Sequence, residues 1–253
     1  MTNEDGNGFA AGPPPGETHP LGGQRSTRSG ERGGHLTLFD LDHTLLTGDS
    51  DVLWCEFLMA RGVLDAASFG PRNRDMDTRY RAGTVGLEEF AHFYVGTLAG
   101  RTPQSWEPVR QQFLAEVIAP RIGEAARALV RQHQDAGDLV VMTTATNRFI
   151  TELTAEHLGI GHLIATEPQL TAGVFTGGTV GALNMREGKV ARLHHWLAAR
   201  GEDLSRYEST AYSDSINDLP LLSAVGRPVA VDPDATLHQI ALERAWTVLC
   251  LPR

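Results

Sequence analysis

Two aspartates two residues apart, Asp40 and Asp42, with a hydroxyl at Thr44, interrupt an apolar stretch that reads Leu38-Phe39-Asp40-Leu41-Asp42-His43-Thr44-Leu45-Leu46. Carboxylates so placed repel each other and need a cation, a shared proton or water between them. Oxygen ligands of this kind suit a hard divalent ion such as Mg2+. Three further groups follow in order. Thr143-Thr144-Ala145-Thr146-Asn147 is rich in small hydroxyl residues, Lys189 is the one lysine of the chain, and Ser213-Asp214-Ser215-Ile216-Asn217-Asp218 is an acidic turn. Each alone has a plain reading: threonines and aspartates cap helices, first-turn acids suit the helix dipole, and a helix lysine is commonly solvated. Together, two carboxylate sites, one cation, a hydroxyl and helix N-termini are what phosphoryl transfer with Mg2+ requires.

The elements that must position these groups are legible from periodicity. His35 to Phe39 is short, apolar and preceded by a Gly pair, which predicts a buried strand. Leu139-Val140-Val141-Met142 is a continuous apolar run, the pattern of a parallel strand buried on both faces. Roughly a hundred residues separate the two, against a dozen or so for an ordinary crossover. Most of that stretch keeps helical spacing, as in Val52, Leu53, Phe57 and Leu58 after a Ser50 N-cap, in Leu87, Phe90, Ala91, Tyr94 and Leu98, and in Trp106, Val109, Phe113 and Val117. Pro71 to Gly83 between them is polar and Arg-rich. A helical module inserted after the first strand, residues 49–120, accounts for the gap, and residues 35–48 and 121–253 form the core. Beyond Met142, strands and helices alternate, with a hairpin expected around Gly177-Gly178. The expectation is an α/β fold: a Rossmann-like parallel sheet covered by helices on both faces, carrying a helical cap. All four chemical groups then fall at C-terminal strand ends, where open α/β sheets bind ligands.

Composition narrows the classes. A formal net charge of −9 argues against a nucleic-acid footprint, which calls for clustered Lys and Arg. No apolar run approaches the ~18 residues of a membrane span. Cys55 and Cys250 stand outside any metal-ligand spacing and read as buried thiols in a reducing compartment, with the cytoplasm as the default location. Residues 1–34 hold nine Gly and four Pro with almost no large apolar side chains, too little to offset ordering entropy, so this tail is expected to be disordered.

From His35 to Leu249 the chain resembles the haloacid dehalogenase-like hydrolases, in the branch that includes phosphoserine phosphatase and carries a helical cap after the first strand. L-F-D-L-D-H-T-L-L resembles the first motif of that family, Thr144 and Lys189 take the second and third places, and Y-S-D-S-I-N-D-L-P-L-L resembles the fourth. The resemblance implies roles. Asp40 would be the nucleophile that forms an aspartyl-phosphate. Asp42 would protonate the leaving alcohol and then activate water. Mg2+ would be held by Asp40, Asp214 and the backbone carbonyl of Asp42. Thr144 and Lys189 would hold the phosphoryl oxygens, and Thr44, Asn217 and Asp218 would support the site.

The second motif departs from the phosphoserine phosphatase pattern, with Thr144-Ala145-Thr146 in place of S-G-G, and so does the fourth, with Ser213-Asp214-Ser215 in place of G-D-G. These departures resemble a related group assigned to histidinol phosphate. The implied partner is a small phosphorylated metabolite. Asp49 and Asp51, just past the catalytic strand, are placed to pair with a substrate ammonium, and equally to serve a helix N-terminus. Trp54, Phe93 and Tyr94 are candidate walls for an imidazole, and Arg72, Arg74, Arg79 and Arg81 are candidates for a substrate carboxylate. Two other classes use similar groups: a signalling module phosphorylated on aspartate, and a phosphotransferase. Asp42 argues against the first, because a long-lived acyl phosphate is not served by an adjacent acid/base.

Overall fold

The computed structural model describes residues 33–252. The tail expected to be disordered lies outside the described residues, except for Gly33 and Gly34, which open the first strand. Seven strands form one sheet: β1 (Gly33–Phe39), β2 (Leu139–Asn147), β3 (His162–Thr171), β4 (Val174–Val180), β5 (Tyr207–Ser213), β6 (Arg227–Val231) and β7 (Thr247–Leu249). Their spatial order is β4-β3-β2-β1-β5-β6-β7. Every pairing is parallel except that of β3 with β4. The order reverses at β1, whose neighbours β2 and β5 lead outward in opposite directions, so the crevice at its C-terminal end is a topological switch point.

Successive β1 side chains serve opposite faces. Leu36 and Leu38 join one apolar cluster with Leu193 and Leu197 of α7 (Glu187–Ala199), Leu221 and Leu222 of α8 (Leu219–Ala224) and Leu237 of α9 (Ala235–Glu243). Phe39 joins the other, with Val130 of α5 (Glu124–Asp135) and Phe149 and Ile150 of α6 (Arg148–His157). Between β1 and β2 the chain also forms α1 (Ser50–Ala60), α2 (Ala66–Arg81), α3 (Leu87–Val95) and α4 (Pro103–Phe113). None of the sheet's strands comes from residues 50–121. Trp54 anchors this stretch, its ring 5.5 Å from Trp106 and 5.1 Å from Phe113. No helix among the described residues is long and apolar enough to cross a membrane.

Several local expectations differ from the structure. The polar segment from Pro71 as far as Arg81 belongs to α2, which runs through Pro71 and is capped by Asp65 accepting from the Ala67 and Ser68 N–H groups. Its apolar contacts are sparse, which hides the 3.6-residue period. Asp49, not Ser50, caps α1, its Oδ1 accepting from the Val52 N–H at 3.0 Å. The β3–β4 turn falls at Ala172-Gly173, both at positive φ, the geometry a two-residue hairpin requires. Gly177 lies inside β4, where a Cβ would come within 3.1 Å of the Ala99 side chain, so this glycine serves a close approach and not a turn. Cys55 is buried as expected, but Cys250 is exposed, because it follows the short edge strand β7.

Candidate active site

Beyond β1 the chain curls tightly. The Leu41 carbonyl accepts from the Leu45 and Leu46 N–H groups at 3.0 and 2.9 Å, and His43 takes a left-handed φ of 59° while its N–H donates to the Gly48 carbonyl. The curl turns Asp40 and Asp42 into one cavity of ≈ 140 Å³. Asp40 is pinned to the neighbouring strand by its N–H, which donates to the Tyr212 carbonyl at 3.0 Å. Its Oδ1 accepts from Lys189 Nζ at 2.7 Å, and Lys189 also donates to Asp218 Oδ2 at 2.6 Å. Lys189 sits in the first turn of α7, next to Gly188. A Cβ on Gly188 would lie 2.1 Å from the Leu183 carbonyl oxygen, so only glycine lets the helix begin where Lys189 reaches Asp40. Ser213 Oγ donates to the same Asp218 oxygen at 2.8 Å.

Thr44 joins the two acidic segments. Its hydroxyl lies 3.2 Å from Asp40 Oδ2 and 3.1 Å from Asp214 Oδ1, and it accepts from the Asp214 N–H. Asn217 lines the cavity and accepts from Arg186 Nε at 3.1 Å. Asp234 was not among the expected residues. It lines the cavity and ties down the acidic turn, accepting from the Ile216 N–H at 2.6 Å while its own N–H donates to the Asp214 carbonyl.

Asp42 is held from its other side. Its Oδ1 accepts from the Ser50 N–H at 2.7 Å, and its Oδ2 lies 3.1 Å from both the Thr144 and the Thr146 hydroxyls. Thr144, expected to meet phosphoryl oxygens, is wholly buried and spends its hydroxyl on Asp42, while Ala145 and Thr146 line the cavity. In a regular strand Thr144 and Thr146 would share one face, but the pairing of β2 with β3 shifts register between Thr144 and Asn147, so the side chains do not simply alternate through the cluster. Asn184, also buried, secures this end by donating to the carbonyls of Thr144 and Ile164.

The outer wall comes from the inserted helices. Asp77, Tyr80 and Arg81 stand at i, i+3 and i+4 on one face of α2, and Phe90 of α3 stacks on Tyr80 at 4.1 Å between centroids. Arg81 is the one arginine of the four candidates that reaches the cavity, and it is bound there to Asp77 at 2.8 Å and to His43 Nε2 at 2.9 Å. Trp54, Phe93 and Tyr94 do not line the cavity; they pack within the helical stretch. Of the two aspartates placed for an ammonium, Asp49 lines the cavity and Asp51 does not. Asp51 is buried behind it, at 3.1 Å from the Thr146 hydroxyl. The facing of α2 is a tertiary outcome, but the i, i+3, i+4 spacing of Asp77, Tyr80 and Arg81 in a segment read only as polar and Arg-rich was the signal that could have shown it.

Residues 37–223 match the haloacid dehalogenase-like hydrolase family. The chain belongs to that family. It is 40% identical over 217 residues to a histidinol-phosphatase of Neisseria meningitidis, covering 85% of this chain and 98% of that protein. It is 33% identical over 220 residues to the phosphoserine phosphatase SerB1 of Mycobacterium tuberculosis, covering 83% of this chain and 68% of the other. A crystal structure of a Bordetella pertussis protein of unknown function superposes with a TM-score of 0.81 at 44% identity, covering 85% of this chain and 97% of that one.

The charge balance of this hydrolase bears on what its site could hold. Burial pushes the Asp40 carboxyl up to about 7 against the pull of Lys189, with Asp218 and Asp42 adding to the rise. Asp214 is pushed well above the usual carboxylate range by burial and then by Asp40 and Asp218. Buried carboxylates left in excess of cations suit a hard divalent ion. Among the described residues no three His, Cys, Asp or Glu side chains form a ligand group, so Asp40 and Asp214 would supply the side-chain oxygens. Main-chain carbonyl and water oxygens would supply the rest, a mixture Mg2+ accepts.

A pH dependence follows. Asp40 rises from 3.8 to about 7, and Asp49 from 3.8 to about 8 through burial and the nearby Asp42. The folded chain therefore binds more protons than the unfolded chain between these limits, and stability falls as pH rises through them. In EDTA, the melting temperature is expected to climb as pH is lowered from about 8 towards 5, and saturating Mg2+ should flatten that slope. A slope of opposite sign in EDTA by calorimetry would contradict the charge balance.

Proposed function

We propose that this haloacid dehalogenase-like hydrolase is a Mg2+-dependent phosphoric monoester hydrolase that works through an aspartyl-phosphate on Asp40, and that its substrate is histidinol phosphate. The observation that carries the reading is the Asp40–Lys189 contact at 2.7 Å at the end of β1, with Asp42 in the same cavity. Asp40 attacks phosphorus, the bond to the ester oxygen breaks, and Asp42 gives its proton to the leaving alcohol. Asp42 then takes a proton from water, the water oxygen bonds to phosphorus, and the bond from phosphorus to Asp40 breaks to release phosphate. Lys189 offsets the repulsion between carboxylate and phosphate, and bound Mg2+ would neutralise charge on the phosphoryl oxygens. Residues 49–120 act as a cap, bringing Asp77, Tyr80, Arg81 and Phe90 over the site and limiting the access of water.

The substrate assignment rests on the walls and on the Neisseria relative. Asp49 caps α1 through Oδ1, leaving Oδ2 without a protein partner among the described residues. The stacked Tyr80 and Phe90 offer an aromatic face for a flat ring. Arg81, the cation a substrate carboxylate would need, is already paired with Asp77. Histidinol phosphate brings an ammonium and an imidazole but no carboxylate, whereas phosphoserine brings a carboxylate. The kcat/KM for histidinol phosphate is expected to exceed that for phosphoserine at least ~10-fold. Asp49→Ala should cost histidinol phosphate about tenfold more than it costs p-nitrophenyl phosphate, which has no ammonium. Steady-state kinetics with the three esters decides the matter, and equal or better turnover of phosphoserine defeats the assignment.

A further inference from the structure

We infer that Asp51 is a positioning residue for Asp42: it stays protonated and donates to the Thr146 hydroxyl, which in turn donates to Asp42. The inference rests on the proposed acid/base role of Asp42. Its basis is a count of protons. Thr146 Oγ1 lies 3.1 Å from Asp42 Oδ2, 3.1 Å from Asp51 Oδ2 and 3.1 Å from Ser50 Oγ. A hydroxyl has one proton to give and two lone pairs to accept with. It cannot donate to two carboxylates at once. The proton that Asp42 delivers has to face the leaving oxygen in the cavity and so is not shared with Thr146. With Asp51 keeping its own proton, all three contacts are satisfied together, Ser50 and Asp51 donating in and Thr146 donating on to Asp42.

The surroundings of Asp51 point the same way. The residue is 2% exposed, and its Oδ1 has no hydrogen-bond partner among the described residues. No basic side chain pairs with it among the described residues, and its nearest charged influences are the carboxylates of Asp49 and Asp42. A bare carbonyl oxygen in such a place costs far less than a bare charge. Burial and those two neighbours push the carboxyl well above its usual range.

The consequence falls on Asp42. With Thr146 turned towards it, Oδ2 receives two hydroxyl donors and Oδ1 receives the Ser50 N–H at 2.7 Å, so the carboxyl plane is held on both sides. Remove the Asp51 proton donor and Thr146 is free to turn away. Protonation of the leaving alcohol then suffers first. That step limits esters of alkyl alcohols, which leave poorly, and matters little for p-nitrophenolate, which leaves unaided.

The test uses the full chain with Mg2+ and two esters, glycerol 2-phosphate and p-nitrophenyl phosphate. Asp51→Leu is expected to lower kcat/KM about 30-fold for the alkyl ester and no more than about threefold for the aryl ester. Asp51→Asn should recover about tenfold of the alkyl loss, because its amide N–H can donate to Thr146 as the acid does. The infrared difference spectrum of wild type minus Asp51→Asn near neutral pH should contain a protonated-carboxyl band. If Asp51→Leu does not fold, Thr146→Val against Thr146→Ser carries the same two-ester comparison. Equal losses on both esters, no recovery with asparagine, or no carboxyl band would each overturn the inference. A failure of the phosphatase reading shows elsewhere, in an Asp40→Asn protein that still hydrolyses both esters.

Discussion

Asp40→Asn is expected to keep the fold and to lower turnover at least about a thousandfold, because an amide is no nucleophile towards phosphorus. The substitution is nearly isosteric. An amide oxygen can still accept from Lys189 Nζ or from the Thr44 hydroxyl, the two contacts that hold the side chain. It also removes a buried negative charge that Lys189 only partly offsets, so no large fall in melting temperature is expected. The kcat for p-nitrophenyl phosphate and mass spectrometry of the trapped protein check this. The wild type should carry a phosphoryl adduct on the peptide containing Asp40, and the variant none. A purified, folded Asp40→Asn protein turning over near the wild-type rate would sink the assignment.

Lys189→Met should damage both stability and activity. Lys189 is 3% exposed and bridges two buried carboxylates at 2.7 and 2.6 Å. Those carboxylates hold its ammonium above the ordinary lysine range even though burial opposes them. Breaking one side of a buried ion pair costs about 3–5 kcal/mol, since the remaining charges lose their compensation. The sign with pH is defined. Without Lys189 the folded-state affinity of Asp40 for protons rises further, so the deficit is largest at alkaline pH and shrinks as acid neutralises that carboxylate. Urea unfolding at about pH 8 and about pH 5 measures it. Activity should fall by about two to three orders of magnitude, as when one preorganised charge stabiliser is removed. A variant within about 1 kcal/mol of wild type at the higher pH would show that the contact is not the buried bridge described.

What was legible in the sequence is what depends on local pattern. The apolar runs ending at Phe39 and Met142 marked strands of a parallel sheet, and groups at strand ends share one edge whatever the rest of the chain does. That is why Asp40, Asp42, Lys189, Asp214 and Asp218 could be gathered in advance, and all of them line one cavity. Glycine was legible as a sign of constraint but not of which constraint: Gly177 reads as a turn and serves a close approach.

The remainder was decided by contacts between segments distant in the chain. That Thr146 and not Thr144 lines the cavity follows from the register shift between Thr144 and Asn147 where β2 pairs with β3, since in a regular strand the two would share a face. Asp49 and Asp51 are two residues apart at the start of one helix and roughly 200° apart around its axis. The packing of α1 against α6 and the end of β2 therefore sends one to the cavity and the other to Thr146. Tyr80 and Arg81 lie in a segment too polar to show a period, and only the docking of α2 and α3 over the sheet edge makes them walls. The sequence by itself determined the chemistry at the sheet edge, because backbone periodicity places strand ends. The tertiary structure decided what surrounds that chemistry, because the facing of a helix is chosen by the surface it buries.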